Sequence, residues 1–392
     1  MLVCSPEPSA DHPARFRGAG PTHIAFLSSA LGGGGAERVI CTLASALSFE
    51  GYTVDVVLMK AEGVYVAELP GSVRIIDLGS VRASRSLAGV VRYLQRNKPA
   101  VLISAVVHAN LTALAAQALA GVPTRTILTV HSLSSLLTEY RRGLKSSLLW
   151  RLERGMYRFA SRIVAVSDAV RDDLEQNCGV RAGLITVIHN PINITAIREL
   201  AEEPIKDSWF GETQTPLVVA MGRLAPEKAF DRLILAFAVV RRRRDVRLAI
   251  AGEGPLRSRL DALVDELGLR ESVHFTGFVA NPYPVLAGAA VSVMASRSEG
   301  FGNVVVESLA LGVPVIASEG SGGPVEILEN GRFGTIVPRE GVSSLAAAIE
   351  RHLDTRSDAS DLMKKADQFS TAVAVERYME VVDSVINRRC KQ

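Results

Sequence analysis

Short apolar runs, each ending in a glycine-rich or polar turn and followed by a helical stretch, recur along this chain and leave few folds open to it. In the first half they are His23–Ser28, Val54–Met59, Val101–Ser104, Thr126–Val130 and Arg162–Val166. In the second half they are Leu217–Ala220, Leu248–Ala251, Val273–Phe275, Val291–Met294 and Pro314–Ala317. Runs this short, with little polar alternation, suit strands buried on both faces, and that burial is the mark of a parallel sheet. The repeated order of strand, turn and helix predicts an α/β architecture. In such sheets ligands bind at the C-terminal ends of the strands, so the turns after these runs are where function is to be sought. At 392 residues the chain is too long for one ordinary core, and two domains are expected. No internal sequence repeat relates them.

Composition narrows the class further. Hydrophobic residues make up 48% and charged residues 22%, the balance of a globular protein. Cys4, Cys41, Cys178 and Cys390 lie far apart with no Cys-x-x-Cys pair, which argues for a reducing compartment and against structural zinc or a disulfide framework. Residues 1–21 are rich in Pro, Ala and Gly without an apolar segment; they read as a flexible leader and not as a signal peptide. No apolar run approaches the roughly 20 residues that span a bilayer. Residues 1–200 carry 21 basic against 15 acidic side chains, a net +6, and the remainder carries 23 against 26, a net −3.

The stretch Ser296–Glu307 concentrates the chemistry. It places Glu299 in the loop after the strand Val291–Met294, and Glu307 about one turn into the helix that follows. Gly300 and Gly302 allow the backbone to approach a ligand and present amides from a helix start. Taken alone, two glutamates eight apart are equally compatible with solvated carboxylates flanking a turn. Arg223 and Lys228 follow the strand Leu217–Ala220, and two fixed cations at a strand end suit a diphosphate. In the first half, Gly32–Gly35 links a strand to a helix. It is a phosphate-compatible turn, without the Gly-x-Gly-x-x-Gly order of a dinucleotide fingerprint, and a plain tight turn remains an alternative.

Together these motifs resemble the retaining, nucleotide-sugar-dependent glycosyltransferases of family 4. Glu299 and Glu307 match its Glu-x7-Glu motif, including the Glu-Gly-Phe-Gly-Asn filler. Gly-Arg-Leu…Glu-Lys at residues 222–228 matches its phosphate-binding pattern, and Gly-Gly-Ala-Glu-Arg at 34–38 its N-domain loop. One departure is Ala229, where the family usually has glycine. The resemblance runs from about residue 22 to the C-terminus. It implies a GT-B fold: two Rossmann-like domains facing across a cleft, with a C-terminal helix crossing back to the first. The implied parts are a leader over 1–21, an acceptor-side domain over 22–200, a nucleotide-sugar domain over 201–372, and a crossing helix and tail over 373–392. It also implies catalytic roles for His131, Arg223, Lys228 and Glu299. Donor contacts would come from Gly33, Gly34, Gly35, Gly252, Gly300, Phe301, Gly302, Asn303, Val304 and Glu307, with Phe278 and Val279 at the base. No Asp-x-Asp occurs, so no metal and no cofactor are expected, and the two cations stand in for a metal clamp.

The reaction so implied moves a hexose or N-acetylhexosamine from a nucleotide sugar, UDP-linked by expectation, to a glycan or lipid-linked acceptor in cell-surface polysaccharide or lipopolysaccharide synthesis. A sugar-nucleotide epimerase of the same two-domain fold is the alternative, and a non-catalytic nucleotide-sugar binder a third reading. Glycoside hydrolysis fits less well. Its two carboxylates stand about 5 to 9 Å apart, eight helical residues span about 12 Å, and the phosphate-binding cations would have no task. No nucleic-acid partner is expected, because the run Arg241–Arg244 lacks aromatic neighbours and reads as solvated. His108 and Asn110 are candidates for the acceptor side. Residues 136–162 interleave seven basic side chains, Arg141, Arg142, Lys145 and Arg151 among them, with Leu, Trp, Tyr and Met. That composition suits either a helix lying on an anionic bilayer or a crossover helix packed on the sheet. The protein is expected to be cytoplasmic, and the first option makes it peripheral on the inner face of the plasma membrane, with residues 136–158 as the contact.

Overall fold

Two all-parallel sheets organise the chain, and the apolar runs described above supply ten of their thirteen strands, all but Arg74–Asp77, Ile185–Val187 and Thr335–Val337. The computed structural model describes residues 22–32, 34–79, 83–133, 135, 144–211, 215–354 and 358–387, so the expected leader lies outside them. The first sheet contains β1 (His23–Ser28), β2 (Thr53–Leu58), β3 (Arg74–Asp77), β4 (Val101–Ala105), β5 (Arg125–Val130), β6 (Arg162–Ala165) and β7 (Ile185–Val187), in the order β3-β2-β1-β4-β5-β6-β7. The second contains β8 (Leu217–Met221), β9 (Arg247–Ala251), β10 (Val273–Gly277), β11 (Val291–Met294), β12 (Val315–Ser318) and β13 (Thr335–Val337), in the order β10-β9-β8-β11-β12-β13. Central strands such as β4 and β11 are buried at every position, as helices on both faces require. Edge strand β3 is exposed at three of its four positions. It carries little apolar signal, and the sequence reading passed over it.

The chain divides into two compact units, one running to Asn193 and resuming at Ser370, the other covering Ile194–Phe369. Each is a Rossmann-like α/β unit. The helix Ile194–Leu200 belongs to the second unit and not to the end of the first. It buries Ile194, Ala196, Ile197 and Leu200, and Arg198 donates to the carbonyl of Ala310 at 3.1 Å and to Asp367 at 3.0 Å. The final helix, Thr371–Asn387, returns to the first unit. Its buried stripe of Ala374, Val375, Tyr378, Val381, Val382 and Val385 joins the core formed by β1, β2 and the helix Gly35–Phe49. The Thr371 amide donates to the Ile192 carbonyl at 3.2 Å, which fixes the point of return.

Opposite the functional ends of the first sheet, one buried carboxylate ties three strand starts together. Asp55 has a side-chain exposure of 1%. It receives Arg74 Nε at 2.8 Å, Arg74 Nη2 at 2.5 Å, the Tyr93 hydroxyl at 2.5 Å and His23 Nε2 at 2.9 Å. Burial alone would raise its pKa, but the hydrogen bonds from His23, Arg74 and Tyr93 outweigh burial and hold the carboxyl well below its usual range. A depressed carboxylate stabilises the fold above the unfolded pKa of about 4, and that contribution is lost as pH falls through the folded value. Asp55→Asn is therefore expected to lower unfolding stability at pH 7 by about 2 kcal/mol, with the deficit shrinking below pH 4. Denaturant titration of both proteins across that range checks it.

Candidate functional site

In the second sheet the strand order reverses between β8 and β11, so the loops leaving these two strands diverge and open a crevice at their C-terminal ends. Arg223 and Lys228 stand on the loop after β8, and Glu299 on the loop after β11. Lys228 ends a short 3-10 turn, Pro226–Lys228, and Ala229 next to it adopts a left-handed conformation (φ 50°), the demand that glycine meets more easily. Lys228 Nζ donates to Glu299 Oε1 at 2.5 Å, and Ser296 Oγ donates to the same oxygen at 2.7 Å. Arg223, with an exposed side chain, donates to Glu227 Oε1 at 2.9 Å. Both predicted cations are thus held by carboxylates within the crevice loops.

Backbone contacts lock these loops. The Glu299 amide donates to the Ser321 carbonyl at 2.7 Å, so the Glu299 loop lies along the turn Gly320–Gly323. A Cβ on Gly323 would stand 2.4 Å from the Phe301 carbonyl oxygen, a contact only glycine allows. Gly252, after β9, approaches Gly222 as closely: its Cβ would stand 2.1 Å from the Gly222 carbonyl. Arg297 braces the other side. Its amide donates to the Glu227 carbonyl at 2.8 Å, and its guanidinium reaches the Pro226 carbonyl and both oxygens of Glu340.

The remaining donor-side predictions fall on the same strand ends. Gly302 is left-handed (φ 89°) and starts the helix Asn303–Ala310, with Asn303 and Val304 in its first turn. Phe301 is buried and its ring packs edge-on against Phe369. Glu307 is buried on that helix, and the Tyr283 hydroxyl lies 3.5 Å from its Oε1. Phe278, after β10, is 58% exposed, and its amide donates to Glu253 Oε1 at 3.4 Å; Val279 beside it is half-buried. Ser296, Arg297, Tyr283 and the buried Arg232 were not singled out from the sequence. Ser296 and Arg297 lie just before the glutamate motif, whereas nothing local marks the other two.

In the first unit the turn after β1 leads into the helix Gly35–Phe49. Gly33 lies outside the described residues. The Gly34 amide donates to Glu37 Oε2 at 3.1 Å, so the helix caps one of its own free amides with a carboxylate. His131 follows β5. Thr129 Oγ1 gives its one proton to the Ser104 carbonyl at 3.0 Å, so toward His131 Nε2, 2.9 Å away, it accepts. The neutral ring is accordingly protonated on Nε2. Its Nδ1 is buried with no hydrogen-bond partner among the described residues, and burial pushes the pKa of His131 down to about 4. Asn110 does not line an open surface. It is 1% exposed, accepting from Ser104 Oγ at 2.7 Å and donating to the Thr129 carbonyl at 3.1 Å, with its amide nitrogen also 3.1 Å from the Tyr157 hydroxyl. His108 is exposed.

Two other features complete the picture. The run Arg241–Arg244 is not merely solvated: Arg243 pairs with Glu350 and Arg244 with Asp354 on the helix Val342–Asp354, because the chain turns toward that helix as its own helix ends. A cavity of about 350 Å³, lined by Arg332, Thr335, His352 and Asp361 among others, opens near the N-terminal ends of β12 and β13, away from the crevice loops. Among the described residues, no group of three or more His, Cys, Asp or Glu side chains is placed to hold a metal ion.

Comparison with known proteins agrees with this geometry. The family model "Glycosyltransferase Family 4" matches residues 33–196, and "Glycosyl transferases group 1" matches residues 202–369. The chain is 29% identical over 359 residues, 86% of its length and 90% of the relative's, to the N-acetylgalactosamine-N,N'-diacetylbacillosaminyl-diphospho-undecaprenol 4-alpha-N-acetylgalactosaminyltransferase of Campylobacter jejuni. It is 34% identical over 45% of its length to the lipopolysaccharide core biosynthesis glycosyltransferase LpsD of Rhizobium meliloti, of which the match spans 53%. Among solved structures, Anabaena HepE in complex with UDP and glucose superposes with a TM-score of 0.77 at 24% identity, covering 93% of this chain and 100% of that one. At that identity the likeness speaks to the fold.

A histidine kept neutral by burial has a definite pH signature. Between the unfolded pKa of about 6.5 and the folded value, the unfolded chain takes up a proton that folded His131 refuses, so stability falls as pH drops across that window. His131→Asn removes this term. Its unfolding free energy is expected to decline less steeply than the wild type's between pH 6.5 and 4, by about 1–3 kcal/mol, as read by chemical denaturation at several pH values.

Proposed function

The chain belongs to the glycosyltransferases, family 4 over its first half and group 1 over its second, and on that premise we propose that it transfers a hexose or N-acetylhexosamine from a UDP-sugar, with retention of configuration and without a metal. The observation that carries the donor half of this reading is the Lys228–Glu299 pair, set across the strand-order reversal with Arg223 nearby. An incoming diphosphate competes with Glu299 for Lys228. Once the lysine turns to phosphate, the Glu299 carboxylate is released to accept hydrogen bonds from sugar hydroxyls. Arg223, already at the surface, closes on the same phosphates, and the positive charge stabilises the diphosphate as it leaves. Glu307 accepts from the ribose hydroxyls, and exposed Phe278 offers its ring and backbone to the base. The acceptor we infer is a lipid-linked or surface glycan, the class named for the Campylobacter and Rhizobium relatives.

Kinetics test each part. Arg223→Ala and Lys228→Ala are expected to lower kcat more than they raise donor KM, because phosphate charge grows toward the transition state. Glu307→Ala is expected to weaken UDP binding by about 1.5–3 kcal/mol in calorimetry, the worth of a hydrogen bond to a charged acceptor. Transfer is expected to survive excess EDTA, and activity lost to EDTA and restored by Mg²⁺ or Mn²⁺ would refute the metal-free reading. Epimerised sugar formed from donor alone would point to the epimerase instead.

We further propose that the helix Leu144–Met156 and the turn after it rest on an anionic membrane surface. Residues 136–143, including Arg141 and Arg142, lie outside the described residues. Leu148, Leu152 and Phe159 are exposed beside exposed Arg151, Arg154 and Arg158, while Glu153 and Tyr157 face inward. Arg154 covers the Trp150 ring and Arg158 the Phe159 ring, so basic and apolar groups are presented together. Among the described residues no helix is long and apolar enough to cross a membrane. Each basic residue near such a surface contributes about 1 kcal/mol. Co-sedimentation with anionic but not neutral liposomes is expected, weakened by salt and by changing Arg151, Arg154 and Arg158 to Glu; equal recovery in both supernatants would overturn it.

A further inference from the structure

Arg232 lies in the first turn of the helix Phe230–Arg241 and is 3% exposed. All its acceptors are neutral. Nη1 donates to the Pro338 carbonyl at 3.1 Å, and Nη2 to the Ala295 carbonyl at 2.9 Å and to Ser318 Oγ; Nε is buried and has no partner among the described residues. Ser318 in turn gives its proton to the Met294 carbonyl at 3.4 Å, which leaves its oxygen free to accept. Among the described residues no carboxylate stands within ion-pair distance of this guanidinium. The nearby acids are already engaged: Glu340 is held by Arg297 through both oxygens, and Asp231 stands 4.0 Å from Arg297 Nη1. An arginine buried this deeply ordinarily has a counter-charge, because an unpaired one is costly to desolvate.

The three groups it holds are not scattered. Ala295 follows β11, Ser318 ends β12 and Pro338 follows β13, so one guanidinium joins the C-terminal ends of three adjacent strands. Ala295 is the root of the loop carrying Glu299, and Ser318 the root of the turn carrying Gly322, which bridges to Glu299. The charge is therefore built into the base of the crevice loops.

We propose that Arg232 is a positioning residue for the donor: it fixes the roots of both crevice loops and supplies a buried positive charge that the diphosphate of a nucleotide sugar neutralises. This rests on the nucleotide-sugar reading above. It adds to Arg223 and Lys228 a third cation that never needs to leave its place, because its two terminal nitrogens are held by backbone and hydroxyl oxygens while, among the described residues, no carboxylate forms an ion pair with it. A low-dielectric surrounding lets that charge act over several ångströms.

The test separates charge from scaffolding by comparing UDP with uridine, which fills the same base and ribose contacts without phosphate. In calorimetry on the full chain, Arg232→Gln is expected to lose UDP affinity about tenfold, equivalent to about 1.4 kcal/mol, with uridine affinity unchanged within about twofold. Arg232→Lys is expected to recover most of the UDP affinity. Equal losses for UDP and uridine, with no rescue by lysine, would reduce Arg232 to scaffolding and overturn the proposal. Should both variants fail to fold, the double variant Arg223→Ala/Lys228→Ala decides: a residual preference for UDP over uridine is expected, and its absence overturns the proposal. Wild-type protein that binds neither UDP nor GDP brings down the donor reading and this one with it. Wild-type binding of UDP that Arg232→Gln leaves unchanged sinks this inference alone.

Discussion

The contact between Lys228 and Glu299 depends on the strand order of the second sheet. The two residues are 71 positions apart and meet only because β8 and β11 are neighbours, which in turn requires the chain to build β9 and β10 on one side and then cross over. Both side chains are mostly buried, at 22% and 12% exposure, so each would be poorly solvated without the other. The loops that carry them are positioned by backbone contacts.

Close backbone approach is what makes that positioning stiff. The turn at Gly323 lies against the backbone of Phe301, and that at Gly252 against Gly222, at separations a side chain would forbid. Arginines cross-link the outer and inner sides of the same loops, Arg297 to Pro226 and Glu340, Arg232 to the ends of β11, β12 and β13. A crevice assembled from glycine contacts and guanidinium forks places charged groups to within a hydrogen bond while leaving the carboxylate of Glu299 able to exchange partners.

The first unit uses the same topology with different polar chemistry. Its C-terminal strand ends carry a buried neutral network of Ser104, Asn110, Thr129 and Tyr157 that orients His131, while the charged cluster around Asp55 sits at the opposite ends of the strands. Tyr157 also ties this network to the inward side of the segment whose outward side presents Leu152, Phe159 and Arg158. The segment's apolar and basic residues are thus divided between packing and exposure, which its composition alone left open.

How much of this was legible beforehand follows from the range of the forces involved. Strands such as His23–Ser28 and Val291–Met294 are marked by local burial, and the glycine turns and the Glu299–Glu307 spacing by local backbone geometry, so the α/β architecture and the residues that stand at the strand ends of the second unit could be read in order along the chain. Edge strand β3 could not, because a four-residue strand exposed at three positions, with only Ile76 packed on the core, is too short and too open to show an apolar pattern. Asn110 looked like a surface group until Ser104, Thr129 and Tyr157 converged on it, and Arg243 and Arg244 looked solvated until a helix about a hundred residues later supplied Glu350 and Asp354. Arg232 is the clearest case: in the sequence it is one more arginine in a helical first turn, and only the meeting of three strand ends around it shows that it is buried and, among the described residues, held by neutral oxygens. Periodicity and turn chemistry act over a few residues and are written in the sequence. The partners of a buried charge are chosen by strand order, and strand order is settled only when the whole sheet has formed.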